Sequence, residues 1–159
     1  MKREAIFAIV LTALITLFTT SPALASETGT NGMISNLISH NPGARQIAPG
    51  VISLPNGVRV TYSSGKPKAG CPYEYLCLYN EEHGGGDELD FYDCGFVNIG
   101  NDYGWSDQVQ SYENNQTPGT NTIFMNWNGS SWDPLYTSVA YNYQDITGSV
   151  RYTDGLWVC

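Results

Sequence analysis

The side chains that could do chemistry are few and lie late in the chain. The four cysteines are Cys71, Cys77, Cys94 and Cys159. Thiols suit either a metal or disulfides. Cys71 and Cys77 have five residues between them, and no second close pair completes a zinc-type spacing. An even number of cysteines in a small exported chain reads as two disulfides, and four cysteines leave three pairings open.

A catalytic reading fares worse. The two histidines are His40 and His83. No H-E-x-x-H, no G-x-S-x-G and no Gly-rich phosphate loop occurs. His83 sits in Glu81-Glu82-His83-Gly84-Gly85-Gly86-Asp87-Glu88, which reads better as a solvated hairpin tip than as an acid–base site. Asp90 and Asp93 could pair as glycosidase carboxylates. In so acidic a chain such pairs arise by chance, and no catalytic constellation stands out.

Charge narrows the partners. Seven basic residues face fifteen acidic ones, net −8 over 159 residues. From Ala69 onward only Arg151 is basic against thirteen acids, net −12. Nucleic acid and anionic lipid need Lys and Arg to displace counterions, so both are excluded as partners. A basic surface or a cation is not.

These residues need elements to hold them. Residues 1–25 read first as an address: Lys2 and Arg3, then an apolar run from Ala5 to Thr20, then Ala23-Leu24-Ala25 before a cut after Ala25. That is a secretory signal peptide, too short to span a membrane. Residues 26–68 read as an N-terminal extension or prosegment. It would hold one or two helical turns over Ser35–His40 and a hairpin of Val51–Leu54 and Val58–Tyr62 around Asn56-Gly57, then the linker 63–70.

Residues 69–159 read as the main domain. Seventeen glycines and eleven tyrosines with few charges favour short strands over helices. Strand-like runs are Tyr75–Tyr79, Glu88–Tyr92, Val109–Tyr112, Thr122–Trp127, Ser138–Tyr141, Ser149–Tyr152 and Leu156–Val158. Tyr103-x-Trp105-x-Asp107-x-x-x-Ser111 matches Tyr141-x-Tyr143-x-Asp145-x-x-x-Ser149, and Leu78-Tyr79-Asn80 matches Phe124-Met125-Asn126. The predicted class is all-β: two related units, each a Greek key, forming one sandwich.

The ordered run Cys71-Pro72, Cys77-Leu78-Tyr79, Gly85-Gly86, Phe91-x-Asp93-Cys94-Gly95 and Asn101-Asp102-Tyr103-Gly104-Trp105-x-Asp107 resembles the βγ-crystallin-like peptidase inhibitor family, of the Streptomyces metalloproteinase inhibitor type. Ile38-x-His40-x-Pro42-Gly43-x-x-Gln46-Ile47 is similar to the leader of larger exported members. The clear resemblance spans residues 71–112.

The resemblance implies a βγ-crystallin-like double Greek-key β-sandwich. It implies a hairpin folded over itself between Tyr79 and Gly86, with Gly84 departing from the family at the second aromatic position. Ser111 and Ser149 would tie such hairpins down. It implies a Cys71–Cys77 bridge, which leaves Cys94 with Cys159. Crystallin units often bind Ca²⁺, and the matching residues are Asp107 with Ser111 and Asp145 with Ser149. Each stretch lacks the first Asn/Asp and one hydroxyl, so any Ca²⁺ site should be weak.

The function so implied is a secreted, extracellular, monomeric inhibitor of peptidases, metallopeptidases first, without catalysis or cofactor. The family's reactive loop is closed by a disulfide that this second unit lacks, so its reactive bond is not transferable. The candidate loops are Asn114–Asn121 and Asn128–Pro134, the latter presenting Trp132, Asp133, Pro134 and Leu135. The alternative is a non-catalytic crystallin-type structural, Ca²⁺- or glycan-binding, or killer-toxin-like module.

Overall fold

The computed structural model describes residues 24–62, 70–146 and 148–159. The expected signal peptide lies outside the described residues except for Leu24 and Ala25, and the linker except for Gly70. Among the described residues no helix is long and apolar enough to cross a membrane.

The chain opens with α1 (Leu24–His40), which is longer than the one or two turns expected from Ser35. Gly29, Thr30 and Gly32 are poor helix formers, so propensity does not signal its first half. Its register is set by Ile34, buried, with Leu37 and Ile38 beside it on the stripe that meets the core. Three strands follow: β1 (Arg45–Ala48), β2 (Val51–Ser53) and β3 (Val58–Thr61). The β2–β3 hairpin is the expected one, with Gly57 at φ +68° in its turn. β1 was not expected; its exposed side chains carry no alternation to reveal it.

The remaining strands are β4 (Leu76–Tyr79), β5 (Glu88–Phe91), β6 (Gly95–Val97), β7 (Ser111–Asn114), β8 (Asn121–Trp127), β9 (Trp132–Val139), β10 (Asn142–Asp145) and β11 (Gly155–Val158). A short helix, α2 (Ile99–Tyr103), separates β6 from β7. All of these strands pair antiparallel, in two sheets ordered β1-β2-β3-β5-β4-β7-β10 and β6-β11-β8-β9. The fold is thus all-β with little helix. Of β4 to β7, the third strand lies in the other sheet, and so does the third of β8 to β11.

One core joins the two sheets. Leu76, Leu78, Leu89, Phe91 and Tyr112 meet Phe124, Leu156 and Val158, and Val58 and Val60 of β3 belong to the same cluster. β3 pairs with β5 in the register Val58↔Phe91, Arg59↔Asp90 and Val60↔Leu89, so the N-terminal hairpin extends the main sheet.

Two expectations are corrected here. Ser149–Tyr152 is no strand but lies in a 3-10 turn, Gly148–Tyr152, where the chain passes from β10 in one sheet to β11 in the other. The matched motifs also occupy unlike places. Tyr141 to Asp145 leads into and forms β10, whereas Tyr103 to Asp107 closes α2 and turns. Their common aromatic, acid and serine types reflect composition, not a shared backbone.

The disulfides are Cys71–Cys77 and Cys94–Cys159. Val158 sits opposite Gly95, so the second bridge caps the end of the β6–β11 ladder. It closes a separation of 65 residues, worth roughly 4 kcal/mol in the chain-entropy model. The first bridge holds the segment before β4 against that strand's outer side. This is why all four β4 residues are buried.

The same outer side buries acid. Asp90 is fully buried and accepts from Arg59 Nε at 2.6 Å, while the Arg59 guanidinium lies 5.5 Å from the Tyr75 ring centre. Its other oxygen has no N–H donor and is beside Glu88. Burial, then Glu88, push the Asp90 carboxyl up to about 7, and Arg59 only partly offsets them. Because the folded state then holds a proton that the unfolded chain releases near pH 4, this contribution is present below that pH and is lost as pH rises to about 7. Thermal melting of Asp90→Asn against the unmutated protein from about pH 4 to 8 checks this. The stability advantage of Asp90 should shrink as pH rises, and a gap that is constant or widens would contradict it.

Candidate functional site

The expected folded hairpin is built around Ser111. This side chain is buried at the start of β7, donates to the Glu81 carbonyl at 2.6 Å and accepts from Gly84 N at 3.0 Å. Tyr79 is buried below, and a Cβ at Gly84 would lie 3.8 Å from its ring. Gly86 has φ +71°, and a Cβ there would overlap the Asn80 side chain, whose Oδ1 accepts from Asp87 N at 2.6 Å. Ser149 does not repeat this role. It stands exposed in the 3-10 turn, and β8–β9 is an open hairpin that needs no such tie.

The residues matched to calcium ligands are dispersed. Ser111 is spent in the hairpin. Asp145 accepts from His83 N at 2.7 Å and sits 2.8 Å from His83 Nδ1, so the exposed hairpin tip occupies its carboxylate. Asp107 lies elsewhere, at φ +59°, beside Asp154. Among the described residues, three metal-type side chains meet only at Cys77, Glu88 and Asp90, and the Cys77 sulfur is in a disulfide.

The two candidate loops differ. Asn114–Asn121 is packed down: Gln116 is buried and accepts from Thr122 Oγ1 at 3.0 Å, and Asn114 Nδ2 donates to Ser138 Oγ at 3.3 Å. The other is shorter than expected. Only Asn128–Ser131 is a turn, and Trp132, Asp133, Pro134 and Leu135 already belong to β9. They are extended because β8 templates them, with Trp127 opposite Trp132 and Asn126 opposite Asp133. The register shifts after Met125↔Pro134 to Phe124↔Tyr136, leaving Leu135 as the extra residue of a bulge. β9 is the outer strand of its sheet. Asp133 and Pro134 are exposed, and Trp132 and Leu135 half-buried.

Asn128 locks the turn. Its Oδ1 accepts from Ser130 N and Ser131 N at 2.9 Å each, and its Nδ2 donates to Ser131 Oγ and Asp133 Oδ2 at 2.8 Å each.

Beside this hairpin opens a cleft of about 660 Å³. Its floor is Asp154, which accepts from Trp127 N at 2.9 Å and from the Ser106 hydroxyl. The Asn126 amide nitrogen reaches Asp154 Oδ2 and the Tyr152 carbonyl at 3.0 Å each. Asn98, Asp107, Trp127, Trp132 and Tyr152 also line it. Trp127 and Trp132 pack at 5.3 Å between ring centres. Partial desolvation and the nearby Asp154 raise the Asp107 carboxyl above its ordinary range.

Comparison with known protein families, curated proteins and solved structures gives no match. The functional assignment therefore rests on this geometry. Sequence reasoning singled out Trp132 and Asp107 but not Tyr152, Asp154 or Asn126, because four separate segments supply the cleft. A signal did exist in the density of Trp, Tyr and Asn around 98–107 and 126–132.

The turn can be tested by itself. Asn128→Ala should cost about 1 kcal/mol in urea unfolding, and proteinase K should then cut first within 128–131. Unchanged stability and cleavage would mean that the side chain does not hold the turn.

Proposed function

We propose that the protein is a secreted inhibitor of peptidases, metallopeptidases first, which blocks the active site with the exposed start of β9 on a βγ-crystallin-like double Greek-key scaffold. The scaffold reading is supported by the exchange of the third strand, β6 and β10, between the two sheets. Export is supported by the two disulfides, which persist in oxidising compartments.

The observation that carries the inhibitory role is the outer edge of β9. Peptidases take substrates as extended strands, and a free sheet edge offers the same row of main-chain donors and acceptors. Trp132 and Leu135 flank the exposed Asp133-Pro134 and would fill an apolar specificity pocket. The Asn128-locked turn and the pairing to β8 hold this segment before it binds, which cuts the entropy lost on association. A cleaved bond would also stay in place, because the ladder holds both sides of it.

Titration of the disulfide-bonded protein against a thermolysin-type metallopeptidase, with serine peptidases as controls, tests this reading. Stoichiometric inhibition is expected, with slow cleavage confined to the Trp132–Leu135 segment. Leu135→Lys should weaken inhibition at least about tenfold. No inhibition by the folded protein, or full inhibition by Leu135→Lys, would refute it.

A further inference from the structure

The cleft beside β9 has a lining that the inhibitory role does not require. Among the described residues the Asp107 carboxylate, the Tyr152 hydroxyl and the indole N–H groups of Trp127 and Trp132 hold no hydrogen bond. Asn98 Oδ1 accepts from Asn101 N at 2.9 Å, which leaves its amide N–H₂ to donate elsewhere. The available groups thus include both donors and acceptors. An anion would need donors alone, and a simple cation acceptors alone. Hydroxyl groups need both.

The apolar part of the lining agrees. Trp127 and Tyr152 are 45% and 59% exposed, so large ring surfaces stand in water even though Trp127 also packs against Trp132. A ring dense in hydroxyls has an apolar C–H face that can cover such aromatic surface while its rim takes hydrogen bonds. No Lys or Arg lines the cleft, so sulfated or carboxylated sugars are disfavoured. Ligand clefts run from roughly 300 to 1,000 Å³, and this one, at about 660 Å³, has room for one or two sugar rings.

We infer that this cleft is a binding site for a neutral saccharide, stacked on Trp127 and Tyr152 and held by Asp107 and Asn98. Asp154, Ser106 and Asn126 also line the cleft, and their bonds to one another hold its floor in place. The site stands whether or not a peptidase is inhibited. If both hold, the shared Trp132 would place a bound sugar next to the inhibitory strand.

The test is titration of the intact protein with cello-, xylo-, manno-, malto- and chito-tetraose, read by tryptophan fluorescence and calorimetry. A heparin disaccharide and glucosamine serve as charged controls. At least one neutral sugar should bind saturably, with a dissociation constant below about 1 mM. Asp107→Gly suits the positive φ at that position, and Tyr152→Ala removes an exposed ring. Each should weaken binding at least about tenfold without lowering the melting temperature. Failure of every neutral sugar to bind, binding of the charged controls alone, or undiminished binding by both variants would overturn the inference.

Discussion

β4 is a four-residue strand kept dry on both faces, and most of the architecture answers to that constraint. Leu76 and Leu78 point into the core between the sheets, and Cys77 and Tyr79 point the other way yet are equally buried. A strand at the centre of a sheet with a solvated outer face would leave Cys77 and Tyr79 wet. Here the Cys71–Cys77 bridge pins a cover over them, Cys71 N donates to Glu113 Oε2 at 3.1 Å, and Asn115 Nδ2 reaches the Cys71 carbonyl at 2.8 Å. The cover costs the burial of Asp90 and Glu88. Arg59, delivered by the N-terminal hairpin, offsets part of that cost.

With β4 fixed, its neighbours follow. β5 and β7 flank it in register, β3 extends the sheet beyond β5, and Ser111 clamps the loop between β4 and β5. Phe124 and Leu156 reach the same core from the second sheet. That sheet carries its outer strand, β9, beside the aromatic cleft.

What could be read from sequence divides along physical lines. The Asn56-Gly57 hairpin, β4, β5, β8 and β11 were legible because turn chemistry or a run of β-formers marks them. β6 and β10 were not. Gly95-Phe96-Val97 is too short for a period, and Asn142-Tyr143-Gln144-Asp145 is polar on both faces because sheet pairing, not burial, holds it. Ser149–Tyr152 misled for the opposite reason: its residues favour strands, but the connection needed a turn. The Ser111 clamp was anticipated through family resemblance. The cleft left only a trace in the density of Trp, Tyr and Asn, because Asp107 and Tyr152 join the Trp127–Trp132 pair of the β8–β9 hairpin only once the chain has folded.

Amide hydrogen exchange resolved by residue tests the central claim most directly. Leu76–Tyr79 and Leu89–Phe91 should exchange only through global unfolding, and β9 and residues 128–131 should open far more readily. Protection of β4 no greater than that of the outer strand β9 would contradict the account, since the strand would then not be the dry centre on which the fold is built.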